Sequence, residues 1–170
     1  MSFYPVMKQQ KRLMWVRIVA IIAILIGSYL VYEHYRSTPS KFCTFGDSFN
    51  CDVVNKSPYA NLDGVLYFLH MDIGWDWVPL WTFELPAAIM GIATFLWIIL
   101  SSFKIQQKKP LLGIPPKKQI TVLKWLMVIS IIFALYLVYI EKYVLLMWCI
   151  YCLSLDLVIV IEAILIKGLK

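Results

Sequence analysis

The chain has 170 residues, 61% of them hydrophobic and only 15% charged, whereas soluble domains of this length carry about 45–50% apolar and 25% charged residues. Four long apolar runs hold the excess, which excludes a soluble globular domain and predicts an integral membrane protein. The net charge of +6 does not argue for nucleic-acid binding, because the basic residues cluster at the ends of the apolar runs, as topology signals do, and form no single patch.

Taken in order, Lys8, Lys11, Arg12 and Arg17 precede an apolar run that, with Leu13 to Val16 included, is long enough to cross a bilayer. A signal peptide has a shorter apolar core followed by small residues of an A-x-A-like cleavage site. No such site follows, so the reading is an uncleaved first span over residues 13–35. Residues 36–81 form a long polar-aromatic segment with Cys43 and Cys51; its apolar stretch at 64–69 is too short to span. Trp75, Trp77 and Trp81 follow. Tryptophan prefers the headgroup level, so this loop is predicted to lie on the membrane as a partly helical cap. The tryptophans read as anchors, and His34 and His70 as wetted interface residues.

A second span is expected over 82–103, with Pro86 in its first turns, where proline costs little. A short basic loop with three prolines leads to a third span at 120–140. Glu141-Lys142-Tyr143 then reads as a brief connection to a fourth span at 148–167. With both termini in the cytoplasm, that side holds twelve of the sixteen Lys/Arg, and Arg36, Lys41, Lys56 and Lys142 fall outside. The positive-inside rule therefore predicts a multi-pass protein of the cell membrane. The fold class is an all-α four-transmembrane-helix bundle with an extracytoplasmic cap loop. All four cysteines then face the outer side, where disulfides persist.

Cys149-Ile150-Tyr151-Cys152 opens the last span. A C-x-x-C at a helix N-terminus puts two sulfurs about one turn apart on one face, and the helix dipole favours a thiolate on the first. A disulfide across so small a loop adds little stability, so the spacing serves exchange or metals. Cys43 and Cys51, separated by seven residues, are compatible with a stapling disulfide, and four cysteines allow three pairings. A four-thiolate zinc site would close on two tight pairs, and the loop spacing is wide for that, so no metal is expected. Two pairs on one membrane face suggest a relay, one meeting outside thiols and the other an acceptor in the bilayer.

These features together resemble the vitamin K epoxide reductase family and its bacterial and archaeal members. The matching residues are Cys43 and Cys51 at their spacing, Val54 and Ser57 after them, Phe83-Glu84-Leu85-Pro86 at the entry to the second span, and the fourth-span C-x-x-C. The resemblance covers nearly the whole chain. It implies a helix bundle around a quinone (menaquinone, ubiquinone or vitamin K type) and a relay carried by Cys43, Cys51, Cys149 and Cys152. Cys43 accepts electrons from a thioredoxin-like protein or secreted substrate thiols, and Cys51 passes them on through a transient Cys51–Cys149 disulfide. Cys152 faces the quinone. Relatives that reduce the epoxide have an asparagine at the start of the second span and a tyrosine four residues after the last cysteine. Here residues 80–91 contain no asparagine and the second position is Asp156, which points to a plain quinone. Many bacterial relatives carry a fused thioredoxin-like domain; these 170 residues hold none, so a separate partner is expected.

Cys149, Cys152 and Asp156 share one helical stripe at about 100° per residue. A carboxyl at that depth is costly and a candidate proton donor, or else a carboxyl bonded to a neighbouring helix. Ser57 and Glu84 are the other pocket candidates, while Glu162, off the stripe, is expected to snorkel or pair near Lys167. The expected activity is a membrane thiol:quinone oxidoreductase that drives disulfide formation. The rivals are a reductase of vitamin K or its epoxide, and a non-enzymatic four-span protein with ordinary disulfides or a metal site.

Overall fold

The computed structural model describes residues 4–38, 44–45, 48–78 and 85–169. Four long helices form the body: α1 (Tyr4–Tyr35), α4 (Ala87–Gln106), α5 (Pro116–Tyr139) and α6 (Ile150–Lys167). Between α1 and α4 lie a short hairpin, β1 (Thr44–Phe45) and β2 (Phe49–Asn50), then α2 (Cys51–Asn55), a 3₁₀ turn Pro58–Ala60 and α3 (Gly64–Met71). Three helical stretches are long and apolar enough to cross a membrane: Gln9–Tyr35, Ala87–Gln106 and Pro116–Leu145. Large apolar side chains such as Leu25, Ile129 and Leu135 point outward from them. Water would not tolerate such a surface, and lipid does. The protein is an all-helical, multi-pass membrane protein.

The bundle is closed by a stripe on α1. Leu13, Val16, Ala20 and Ala23 are buried at intervals of three and four, which keeps them on one helical face. They meet Phe95 and Ile98 of α4, Leu123 and Met127 of α5, and Ile166 of α6. Small residues let the axes approach closely. At Gly27, next along the stripe, an added Cβ would sit 3.1 Å from Ile92. Near the middle of α1 the Arg17 guanidinium lies 4.3 Å over the Phe103 ring and bonds Gln106.

Two element boundaries differ from the expectation. α4 begins at Ala87, with Pro86 before it in extended conformation (ψ 136°) as its N-cap. The cause is pairing: Asn61 bridges Pro86, and the Leu62 N–H donates to the Leu85 carbonyl at 2.9 Å, which requires extended backbone at 85–86. The third helix does not stop at residue 140. It continues as a π-helical segment, Ile140–Leu145, ending at Leu146 in the left-handed region (φ 54°). Glu141, Lys142 and Tyr143 are therefore helix, and no polar loop separates α5 from α6.

The segment after α1 is tied down by specific bonds. The Asn55 side chain donates to the Leu30 carbonyl at 2.7 Å, and His34 Nδ1 donates to the Asn55 carbonyl at 2.8 Å. His70 Nδ1 similarly donates to the Val78 carbonyl at 2.9 Å. Both histidines are half-buried, each with one ring nitrogen bonded to backbone. α3 lies against the last turns of α5, with the Tyr136 hydroxyl donating to the Gly64 carbonyl at 2.8 Å and Phe68 edge-on to Tyr136 and Tyr139. Tyr59 donates to Asp72 at 2.9 Å; burial first, then that bond, pushes its phenol up to about 12. Gly64 permits this packing, because a Cβ there would collide with the Tyr59 backbone. Gly64→Val is expected to cost about 2 kcal/mol or more through overpacking against backbone that cannot yield, read as a lower thermal midpoint in detergent.

Candidate active site

The site is built where the loop meets the start of α6. Phe49 bridges Trp148 in parallel register. The Asn50 N–H donates to the Trp148 carbonyl at 3.0 Å, and the Trp148 N–H donates to the Ser48 carbonyl at 2.9 Å. Asn50 and Trp148 are each followed by a cysteine. Cys51 opens α2, whose N-cap Asn50 accepts from the Asp52 and Val53 N–H groups, and Cys149 is the N-cap of α6. Cys51 and Cys149, 2% and 0% exposed, belong to one apolar cluster with Leu30 and Val54. Two cysteines nearly a hundred positions apart are thus placed together by main-chain hydrogen bonds.

Cys149 and Cys152 are joined as a disulfide. The Cys152 N–H donates to Cys149 Sγ at 3.2 Å, so the first sulfur caps the helix, the position in which a thiolate is stabilised once the pair is reduced. Cys51 is also disulfide-bonded, and Cys43 lies outside the described residues. Cys152 is half-buried, beside Tyr151, whose ring lies 4.6 Å from that of Tyr29.

Of the other expected site residues, Ser57 is buried and its hydroxyl donates to the Val54 carbonyl at 2.7 Å, leaving its oxygen lone pairs to accept. Asp156 is half-buried, and its Oδ2 has no hydrogen-bond partner among the described residues. As the residue four after Cys152 it stands one turn below that sulfur on the same helix face. Glu84 lies outside the described residues. Glu162 departs from expectation: it is 0% exposed, and neither carboxylate oxygen has a partner among the described residues. It neither snorkels nor pairs with Lys167, because its position on α6 faces the helix bundle.

The residue that the sequence did not single out is Glu141. It is 1% exposed, and its Oε2 accepts the Cys149 N–H at 3.2 Å. Its backbone carbonyl accepts the N–H groups of Leu146 and Met147, so one residue fixes both ends of the turn into the C-x-x-C. A carboxylate oxygen and the Sγ atoms of Cys149 and Cys152 all lie within 4.8 Å of one another. Only one signal hinted at this: residues 143–149 are wholly apolar, leaving little for a wetted loop. An apolar groove of about 260 Å³ lined by Val65, Ile129, Ile132, Phe133 and Tyr136 lies between α3 and α5 and contains no cysteine.

A buried disulfide at a helix N-terminus, a second disulfide-bonded cysteine in the same cluster and unpartnered carboxyl oxygens can exchange electrons and protons. No curated protein matches the chain. The family model described as Vitamin K epoxide reductase family matches residues 14–166. Members of that family are oxidoreductases of thiol and quinone chemistry, and over nearly its whole length this chain belongs to the vitamin K epoxide reductase family.

Proposed function

We propose that the chain is a membrane thiol oxidase. Electrons from a thioredoxin-like protein, or from thiols of secreted proteins, enter at Cys43 and Cys51. They pass to Cys149 and Cys152 and leave to a bilayer quinone, so that disulfides form outside the cell membrane. In this reading α6 is the fourth span, residues 36–81 are the outer cap, and both termini are cytoplasmic. α6 has 18 residues, or about 27 Å at 1.5 Å per residue, close to a hydrocarbon core of about 30 Å. It presents Leu157, Val160, Ile161 and Ile164 outward while Glu162 turns inward. The exposed, stacked Trp75 and Trp77 rings suit the headgroup level.

The observation that carries the proposal is the bridge of Phe49 to Trp148, which sets Cys51 beside the buried Cys149. A Cys51 thiolate attacks Cys149 Sγ, the Cys149–Cys152 bond breaks, and Cys152 leaves as thiolate. The Cys43 thiolate then attacks Cys51 Sγ and frees Cys149. A quinone supplies the acceptor of two electrons and two protons. The residues present fit such a group: an apolar surround that includes Ile26, Ala88 and Leu155, a half-buried Cys152, and the orphaned Oδ2 of Asp156. Asp156 holds a proton there, and Ser57 lines the pocket as a further polar group. With Asp156 in place of a tyrosine, a plain quinone is the substrate.

The purified full chain in detergent, given a reduced thioredoxin-like dithiol and ubiquinone or menaquinone, is expected to consume one quinone per dithiol oxidised and to leave vitamin K epoxide unchanged. Epoxide turnover without net quinone reduction overturns the choice of acceptor. A stoichiometric metal ion on the reduced protein, held by the two sulfurs and Glu141, overturns the redox reading.

A further inference from the structure

Glu141 is more than a brace for the turn. Its Oε2 is used by the Cys149 N–H, whereas Oε1 is buried with no hydrogen-bond partner among the described residues. Orphaned carboxyl oxygens in an apolar cluster are costly, and a group retained in that state within reach of two reacting sulfurs suits proton transfer. The sulfurs of Cys149 and Cys152 and a Glu141 oxygen lie mutually within 4.8 Å, a separation that a small rotation or a single bridging water closes. The π-helical turn is what delivers the carboxyl here, because it shifts the side chains after Tyr139 around the axis.

We propose that Glu141 is a catalytic residue, the proton carrier of the Cys149–Cys152 pair. The inference rests on the reading that this pair cycles between disulfide and dithiol. When an incoming thiolate bonds to Cys149 Sγ, the electron pair of the broken S–S bond remains on Cys152 Sγ. Glu141 protonates that thiolate, and the proton lost by the attacking thiol restores the carboxyl. When the pair closes again, two electrons and two protons leave to an oxidant of the quinone class, and Glu141 takes the proton of the attacking thiol on its way out. Asp156 of α6 is near enough for its charge to act on Glu141. Lys142 is its neighbour on the same segment, and α2 contributes Cys51 and Asp52, the latter paired with Lys56 at 2.8 Å.

Two substitutions separate proton transfer from bracing. Glu141→Gln keeps the length and the acceptor for the Cys149 N–H but carries no transferable proton; Glu141→Asp keeps the carboxyl on a shorter arm. Peptide mapping under non-reducing conditions first establishes that each full-length variant forms the Cys149–Cys152 disulfide. At neutral pH, Glu141→Gln is expected to lose about 100-fold in dithiol oxidation, within the range for a lost general acid–base group, and Glu141→Asp to retain more activity than Gln. In the reduced, quinone-free protein, the pH profile of Cys152 alkylation is expected to carry an inflection from Glu141, beside those of the coupled Cys149 and Asp156, that is lost in Glu141→Gln. Gln outperforming Asp, the order expected of a pure hydrogen-bond acceptor, overturns the proposal. So do superimposable alkylation profiles. A wild-type pair that does not exchange with dithiols at all sinks the redox reading itself, a different failure.

Discussion

Cys149→Ala or Cys152→Ala is expected to lower quinone-dependent dithiol oxidation by about 1,000-fold or more, the scale of loss when a covalent nucleophile is removed. Unfolding does not account for a loss of that size. A disulfide closing so few residues contributes at most about 2 kcal/mol in the loop-entropy account, and the helix capped by Cys149 keeps its packing through Tyr151 and Leu155. The two variants are expected to differ in what they trap. With Cys152 gone, the link between Cys51 and Cys149 forms when the free Cys149 thiolate attacks the Cys51 disulfide, and only Cys43 can reverse it, so non-reducing mass mapping after rapid alkylation of Cys43 should find that mixed disulfide accumulated. With Cys149 gone, the sulfur placed beside Cys51 by the Trp148 pairing is missing, and no such link forms. Wild-type rates in either variant, measured as quinone consumption with a thioredoxin-like dithiol, remove the pair from the reaction.

The parts of this site that were legible in the sequence are those with local causes. The C-x-x-C lies at the start of a helix, as its spacing and the apolar run after it require, and Cys149 takes the N-cap. The long apolar runs became long helices, because hydropathy over some twenty residues is a strong signal. What was not legible depends on contacts between distant segments. Pro86 has a local reason to sit in a first turn, but pairing of 61–62 with 85–86 holds it outside the helix. Glu141-Lys142-Tyr143 has the composition of a connection, yet the third helix runs through it as a π segment and buries the acid beside the sulfurs. Glu162 looked able to reach Lys167 along one helix, and only the helices packed around it show that it points inward. The Phe49–Trp148 bridge joins residues with no local signal for each other, and it decides which cysteines meet.

That bridge yields the last expectation. Cys149 is fully buried, so a protein dithiol cannot reach it directly; a carrier must bring electrons from the surface, and Cys51 shares its cluster. Exchange within one chain has a large advantage over exchange between molecules, through effective concentration and fixed orientation. Cys51→Ala is therefore expected to slow oxidation of a protein dithiol by about 100-fold or more. A small membrane-permeant dithiol, able to reach the half-buried Cys152 sulfur, should be oxidised at a rate much nearer to wild type. The ratio of the two rates is the measurement. A variant that loses both substrates equally places Cys51 in the scaffold, since α2 is anchored to α1 through Asn55 and a disturbed α2 would affect every substrate. A variant that loses neither makes its disulfide a staple and routes the electrons elsewhere. The selective loss alone gives Cys51 the role of carrier, because only a residue that transfers electrons, and does not merely hold the loop in place, distinguishes a donor by its size.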